Sequence, residues 1–217
     1  MKHTTTIRRT GVAAAALALS FGLAACGSDD DSSADANNDT TTSQSPAGDS
    51  GDTGDMATNA GAETFGPGCS AIPKDGAGSF NGMATEPVAT AASANPLLET
   101  LVTAVGAADL GDTLNAAEAI TVFAPTNDAF SKIPKADLEG VLADKDLLTK
   151  ILTHHVVAGQ LGPDEVAGEH ETLAGDKIEV KGSGEEFTVG KENAAVLCGN
   201  IPTANATVYV IDTVMMP

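Results

Sequence analysis

Two neighbouring histidines come nearest to a catalytic or metal-binding pattern. His154 and His155 are adjacent, and adjacent side chains on a helix point about 100° apart, so the pair does not face one metal ion. His155 follows Ile151 by four residues on the apolar face of a predicted helix, which favours a buried, hydrogen-bonded core histidine. His170 stands between two glutamates, which indicates a solvated surface histidine. The histidines therefore predict no metal site.

The other candidate motifs do not predict a reaction either. Gly182-Ser183-Gly184 has the composition of a hairpin turn and lacks the G-x-S-x-G pattern of a nucleophile elbow. The sequence contains no phosphate-binding loop or dinucleotide fingerprint, and it has one Tyr and no Trp with which to stack a base or a sugar. A formal net charge of −19 disfavours contact with nucleic acid phosphates. We therefore predict no enzyme, no cofactor and no nucleic acid partner.

The start of the chain predicts export and a lipid-modified cysteine. Basic residues precede a run of small and apolar residues, which is the order of a secretory signal peptide. Leu23-Ala24-Ala25-Cys26 resembles the lipobox of bacterial lipoproteins, in which the Cys thiol is diacylglycerated and the chain is cut just before it. The alternative is an ordinary secretory peptide that contains a cysteine. The lipobox interpretation predicts a signal peptide at residues 1–25 and a diacylglyceryl anchor on Cys26, which would hold the protein at the outer face of the cytoplasmic membrane.

The two remaining cysteines form an even pair. With Cys26 lipidated, Cys69 and Cys198 are left in an exported, oxidising compartment. We predict a disulfide between them. The alternative is a pair of free thiols in a redox or metal site, but the sequence has no CxxC spacing and no Cys/His cluster to support it.

Residues 26–64 are predicted to form a disordered acidic linker after the lipidated cysteine. They are rich in Asp, Ser, Thr, Gly and Ala and contain no Lys or Arg, so they bury too little apolar surface to offset the entropy of ordering. Thr40, Thr41 and Thr42 are candidate O-glycosylation sites within this linker. The alternative is that these hydroxyls only keep the linker soluble.

One strand-to-helix corner organises the predicted folded domain, residues 65–217. Thr121 opens a run suited to a strand, and Pro125 should stop that strand because proline cannot donate to a sheet ladder. Thr126 and Asn127 then predict the N-cap of a helix. Phe130, with Phe123 before the corner, should anchor the helix and the strand in the core.

The patterns on either side of this corner predict an α+β domain. Apolar residues at helical spacing predict helices near residues 87–94, 95–105, 136–142 and 146–156. Alternating residues predict strands near residues 178–181, 187–189, 194–198 and 207–212. Because the helices gather in the first half and the strands in the second, only the strand at Thr121 should join the sheet from the helical half.

Three motifs give the chain a resemblance to a known family. Residues 121–130 (Thr-Val-Phe-Ala-Pro-Thr-Asn-Asp-Ala-Phe) resemble the first signature box of fasciclin domains, residues 152–157 (Leu-Thr-His-His-Val-Val) resemble their central Tyr-His motif, and residues 206–217 resemble their closing box. His154 stands where that family usually has Tyr. Together with the lipobox and the acidic linker, the chain is similar to actinobacterial fasciclin lipoproteins of the mycobacterial surface-antigen type.

The resemblance implies a wedge-like β-sheet packed against several helices and a cell-surface role in adhesion or matrix contact. Its motif residues are interpreted as structural: Thr121, Pro125, Thr126, Asn127, Phe130 and His155. Residues 199–203 (Gly-Asn-Ile-Pro-Thr) do not reproduce the acidic Pro-Asp-Ile-Met motif associated with integrin binding in animal relatives. Integrin recognition is therefore not implied.

Two functions of different classes follow from the sequence. The first is a lipid-anchored cell-surface adhesion or interaction module without catalytic activity, whose partner is a cell-wall, matrix or host surface component. The second is a ligand-binding lipoprotein that carries a lipid or another small apolar molecule, which a preformed apolar cavity would favour.

Overall fold

The computed structural model describes residues 59–217. In this range the chain forms seven helices and seven strands and two 3₁₀ turns, Pro67–Ala71 and Pro96–Leu98. The helices are α1 (Phe80–Ala84), α2 (Val88–Ser93), α3 (Glu99–Ala107), α4 (Gly111–Ala116), α5 (Asn127–Ser131), α6 (Lys135–Ala143) and α7 (Lys145–His154). The strands are β1 (Ile120–Pro125), β2 (Val156–Ala158), β3 (Gly168–Glu171), β4 (Lys177–Ser183), β5 (Glu186–Val189), β6 (Ala194–Pro202) and β7 (Ala206–Ile211). None of these helices is long and apolar enough to cross a membrane.

The architecture is the predicted α+β arrangement, with β1 as the strand contributed by the helical half. The strands form one sheet in the order β2-β1-β7-β6-β5-β4-β3. β1 and β7 pair in parallel from Ile120↔Ala206 to Pro125↔Ile211, and the other neighbouring strands are antiparallel. Five consecutive strands, β3 to β7, therefore follow one another along the sheet, and β1 lies beside the last of them.

The sheet curls until its two ends meet. Val157 in β2 bridges Thr172, the residue after β3, and the Leu173 amide donates a hydrogen bond of 2.8 Å to the Val156 carbonyl. This contact, which we call the seam, pairs part of both edge strands and leaves fewer free backbone groups to associate with another chain.

Each face of the sheet carries its own core, because successive side chains of a strand point to opposite faces. Val122 and Val210 belong to the core between the sheet and the helices. Phe123 and Tyr209 belong to a second core inside the curled sheet, where their ring centroids lie 5.7 Å apart. The corner sequence therefore supplies both cores from consecutive residues.

The predicted corner is present, with one correction to its capping. β1 ends at Pro125, and the Thr126 hydroxyl accepts a hydrogen bond of 3.2 Å from the Ala129 amide at the start of α5. The prediction that Asn127 caps the same helix is wrong. Its side chain accepts from the Thr100 amide at 2.9 Å and donates to the Pro96 carbonyl at 2.8 Å. Asn127 is the first residue of α5, so its side chain is free to cap α3 instead.

Asn127→Ala is expected to lower the free energy of unfolding by about 1 kcal/mol, because the first turn of α3 loses the cap on the Thr100 amide. Denaturant unfolding followed by far-UV circular dichroism measures this loss. Lys135→Ala, at an exposed position of α6, is the control and should change stability by less than about 0.5 kcal/mol. Equal stability of Asn127→Ala and wild type would contradict the assigned cap.

Two predicted helix ends also need correction. The helix predicted near residues 95–105 runs to Ala107, and the helix predicted to reach Val156 ends at His154, because β2 begins at Val156 and pairs with β1. Val156 therefore pairs in the sheet, although its helical spacing alone would assign it to α7.

Asn205 ties the turn between β6 and β7 to the helices, a role that sequence reasoning missed. Its amide nitrogen donates to the carbonyls of Leu114 at 2.8 Å and Ala117 at 2.7 Å. Its amide oxygen accepts from the Val88 amide at 2.8 Å. One side chain therefore serves the end of α4 and the start of α2.

Asn205→Ala is expected to lower the free energy of unfolding by about 2–3 kcal/mol, because several backbone groups at two helix ends lose their partner. Asn205→Asp is the informative companion, since it keeps the acceptor for Val88 but turns a carboxylate toward two carbonyls. Both variants should unfold at lower denaturant concentration than wild type. If Asn205→Ala lowers the free energy of unfolding by less than about 0.5 kcal/mol, these hydrogen bonds do not stabilise the fold.

Residues 59–71, which we call the strap, lie along β6. Phe65 exchanges two backbone hydrogen bonds with Gly199, of 3.3 and 2.8 Å. The predicted disulfide is present, with the Cα atoms of Cys69 and Cys198 4.8 Å apart. A Cβ atom at Gly199 would come 2.3 Å from the Phe65 ring, so only glycine lets this ring lie on the strand.

The strap also corrects the predicted end of the linker. Residues 59–64 form a hydrogen-bonded turn, in which the Ala60 amide donates to the Asn81 side chain at 2.9 Å. Contacts with α1 thus order six residues that composition alone assigned to the disordered linker. The signal peptide, Cys26, residues 27–58 and the candidate glycosylation sites Thr40, Thr41 and Thr42 lie outside the described residues.

Candidate functional site

His155 is a core residue, as the sequence predicts. It is 2% exposed, its Nδ1–H donates to the Ile151 carbonyl at 2.8 Å, and its Nε2 accepts from the Met215 amide at 3.0 Å. Burial lowers the pKa of His155 to about 4, although the Ile151 hydrogen bond partly opposes that change. A neutral ring with both nitrogens engaged is structural and does not serve as an acid or a base.

His154 is buried as well, and its partner was missed by sequence reasoning. Only 7% of its side chain is exposed, and its Nδ1–H donates to the Asp176 carboxylate at 2.8 Å. The Thr172 hydroxyl donates to the same carboxylate oxygen. Asp176 lies 22 residues further along the chain, so sequence spacing gave no signal that it meets α7.

The order of groups in this cluster argues against nucleophilic catalysis. A Ser or Thr nucleophile is activated when a histidine stands between it and a carboxylate. Here the carboxylate of Asp176 stands between Thr172 and His154, so the imidazole does not reach the hydroxyl proton. The cluster fastens the seam, since it joins the end of α7 to the turn between β3 and β4.

The Asp176 carboxyl is held in its charged form. Burial tends to raise its pKa, but the hydrogen bonds from Thr172 and His154 outweigh that effect and hold the pKa below its ordinary value. The cluster therefore places the negative charge of Asp176, which is partly exposed, beside the buried imidazole of His154.

A groove of about 510 Å³ opens beside this cluster. We call it the His154 groove. It is lined by His154, Asp176, Lys177, Ile178, Glu179, Lys181, Gly190, Lys191, Asn193, Met216 and Pro217. The lining joins the end of α7, strand β4, the turn between β5 and β6, and the C-terminal residues.

Both signs of charge line the His154 groove. It gathers three of the eight lysines of residues 59–217, a range without arginine. Lys181 pairs with Glu179 at 2.9 Å, and Lys177 approaches Glu169 at 3.6 Å. The groove therefore places lysine ammonium groups beside carboxylates in one lining.

A second, much smaller cavity lies between the helices and β1. Its volume is about 50 Å³, and its lining is almost wholly apolar: Val88, Ala89, Ala92, Leu101, Val102, Val105, Leu114, Val122, Phe123, Leu152, His155 and Val156. This crevice has room for a few methyl-sized groups at most.

Three of the residues interpreted as structural, Thr121, Pro125 and Phe130, lie in the core, apart from the groove. Thr121 is fully buried, donates to the Gly159 carbonyl at 2.6 Å and accepts from the Leu161 amide at 2.9 Å. Pro125 and Phe130 are buried beside it in the corner. These residues position β1 and the loop after β2, which agrees with their structural interpretation.

One histidine differs from its prediction. His170 was expected to be a solvated surface residue, but it is half-buried, and its Nε2–H donates to the Val166 carbonyl at 2.8 Å. The fully buried Val166 brings the loop before β3 over this ring. No group of three or more His, Cys, Asp or Glu side chains within residues 59–217 is arranged to hold a metal ion.

Comparison with known proteins identifies the family. The model of the Fasciclin domain family matches residues 96–217. The chain is 48% identical over 164 residues to "Cell surface glycolipoprotein MPB83" of Mycobacterium bovis, which covers 72% of this chain and 73% of the relative. It is 48% identical over 163 residues to "Immunogenic protein MPB70" of the same species, covering 71% and 83%. It is 42% identical over 129 residues to "Protein sll1483" of Synechocystis, covering 58% and 71%. The chain belongs to the fasciclin-domain family.

Proposed function

We propose that this protein is an exported, lipid-anchored cell-surface module that binds a cell-wall, matrix or host surface component and has no catalytic activity. One observation carries the proposal: a fasciclin domain 48% identical to a cell surface glycolipoprotein follows a lipobox that ends in Cys26. Two acyl chains on Cys26 would hold the domain stably at the membrane.

The His154 groove is the proposed contact surface. Its volume of about 510 Å³ and its pairs of charged side chains suit a polar partner, since complementary charges fix the register of an interface. The buried His154, held by Asp176, gives one side of this groove a fixed position.

The arrangement of the polar groups supports a module without catalysis. The ring nitrogens of His155 are used inside the core, and the Thr172 hydroxyl is directed at a carboxylate and is 4% exposed. Catalysis by a Ser or Thr nucleophile needs a base within hydrogen-bonding distance of an accessible hydroxyl, and this cluster does not supply that pair.

Carriage of a small apolar molecule is the second candidate, and the apolar crevice is the observation that favours it. Its volume of about 50 Å³ is small beside the 300–1,000 Å³ or so of common ligand pockets. An acyl chain would need α2, α3 and α4 to move apart. Native mass spectrometry of the gently purified protein separates the two candidates: a stoichiometric small molecule supports carriage, and the bare mass supports the surface module.

The anchor is tested by metabolic labelling with an alkyne palmitate analogue in the native host. Wild type should carry the label and sediment with membranes, whereas Cys26→Ser should be unlabelled. An unlabelled wild type, or a Cys26→Ser variant that still carries the label, would overturn the lipid anchor.

The groove is tested by binding of the full chain to isolated cell walls and to matrix components. Lys177→Glu combined with Lys191→Glu should weaken binding by about tenfold or more, because it adds negative charge to an already acidic surface. Lys74→Glu combined with Lys135→Glu, two exposed lysines outside the groove, is the control with the same change of charge and should bind like wild type. Equal weakening by both changes would point to net charge and not to the groove.

O-glycosylation of the linker is also part of the proposal. Thr40, Thr41 and Thr42 are proposed to carry O-linked sugars, in keeping with the name glycolipoprotein of a relative. The intact mass of the protein from its host, compared with the triple Thr→Ala variant, measures the sugar directly.

A further inference from the structure

The strap joins the folded domain to the chain that leads back to Cys26. It precedes the part of the chain that matches the family model, which begins at residue 96. The Cys69–Cys198 bridge spans 129 residues, and the closed loop contains all seven described helices. The bridge therefore fastens Cys69 directly to β6, while the first residues of the strap contact α1 through Ala60 and Asn81.

Several further contacts hold the strap to the same strand. Phe65 pairs with Gly199 through two backbone hydrogen bonds. The Asn200 side chain donates to the Glu63 carbonyl at 3.1 Å, and Asn200 has a φ of 57° where β6 and β7 shift register. β6 bends at this point, and both Cys198 and Asn200 contact the strap.

β6 leads from the bridge to the rim of the His154 groove. Asn193, which lines the groove, lies five residues before Cys198. β6 also pairs with β7 at the centre of the sheet. A pull applied at Cys26 and opposed at the groove would follow the strap, the disulfide and β6.

We propose that the strap and its disulfide form a tension clamp, which carries force from the membrane anchor to the groove through β6 and keeps residues 70–190, which include α1 to α7, from being drawn out. The inference rests on the proposed anchor at Cys26 and on the groove as the contact surface. Without the bridge, the same pull would pass through residues 70–190 and would strip the strap and then α1 and α2 from the sheet.

The test is single-molecule force spectroscopy on the mature chain that begins at Cys26 and is left unacylated. One handle is attached to Cys26, the thiol that the bridge does not use, and the other to a clickable residue placed at Lys191. The oxidised chain should extend without releasing residues 70–190, which would otherwise add about 3.3–3.6 Å each. Residues 59–68 should be peeled off in both chains, but the Cys69→Ser, Cys198→Ala variant should then release residues 70–190 as well, which adds about 400 Å to its extension.

A destabilised control separates the load path from stability. Asn205→Ala weakens the helical layer but keeps the bridge, so it should extend no further than wild type. Equal extensions of wild type and the bridge variant over the same range of force would overturn the clamp, and so would the release of residues 70–190 in Asn205→Ala. If the bridge variant does not fold, wild type reduced with a phosphine in the trap gives the same comparison. Failure of the palmitate labelling would remove the anchor but would leave this mechanical result unchanged.

Discussion

The Cys69→Ser, Cys198→Ala variant is expected to lose about 3–5 kcal/mol of unfolding free energy. Closing a loop between residues 129 apart removes roughly 5 kcal/mol of unfolded-state freedom in the chain-entropy description. Because single domains are commonly stable by about 5–15 kcal/mol, this is a large part of the total. Denaturant unfolding of the oxidised full chain and of the variant, followed by far-UV circular dichroism, measures the difference.

Cys26→Ser is the matched control, since it removes a cysteine that lies outside the bridge. Its unfolding midpoint should equal that of wild type. The intact mass should also rise by two protons when the wild-type chain is reduced. A bridge variant whose free energy of unfolding lies within about 1 kcal/mol of the wild-type value would show that the disulfide contributes little to stability.

Acidification between pH 6.5 and pH 4 is expected to cost about 3 kcal/mol of stability through His155 alone. The pKa of this ring is about 4 in the folded protein, against an ordinary value of 6.5, and each unit of difference corresponds to about 1.4 kcal/mol. The folded pKa is the lower one, so the unfolded chain takes up the proton first as the pH falls. The stabilisation is therefore complete above pH 6.5 and is lost as the pH approaches 4.

Carboxyl groups also titrate near the lower end of that window. The informative quantity is therefore the difference in unfolding free energy between wild type and His155→Gln at each pH. The glutamine does not titrate, and its variant should lose the slope between pH 6.5 and pH 4.5 while being less stable at pH 7. His170→Gln is the control, because His170 is half-buried and outside this hydrogen-bond pair. Parallel pH profiles for wild type and His155→Gln would contradict the assignment.

The features predicted from the sequence are those decided by neighbouring residues or by a count. Pro125 ends its strand and Thr126 caps the helix that follows, because both effects act within four residues. The partner of Cys69 followed from there being one other cysteine in the domain. The burial of His155 followed from its spacing on α7.

The features that sequence reasoning missed depend on residues that meet only after folding. Asn127 had the right chemistry for a cap, but it caps a helix whose start lies 27 residues earlier. Asn205 bonds to Leu114 from 91 residues away. The cluster of His154 and Asp176 forms because the sheet curls and closes at the seam. Hydrophobic periodicity specifies which face of an element is buried, but it does not specify which distant polar group meets it.

The central claim is that an anchored fasciclin module meets its partner through the His154 groove. It is tested most directly by photo-crosslinking on intact cells, with a photoreactive residue placed at Lys191 in the groove or at Asp112 on α4, both exposed. The account predicts a discrete crosslinked cell-surface or matrix species from position 191 and none from position 112. The same species from both positions, or a species only from position 112, would contradict it.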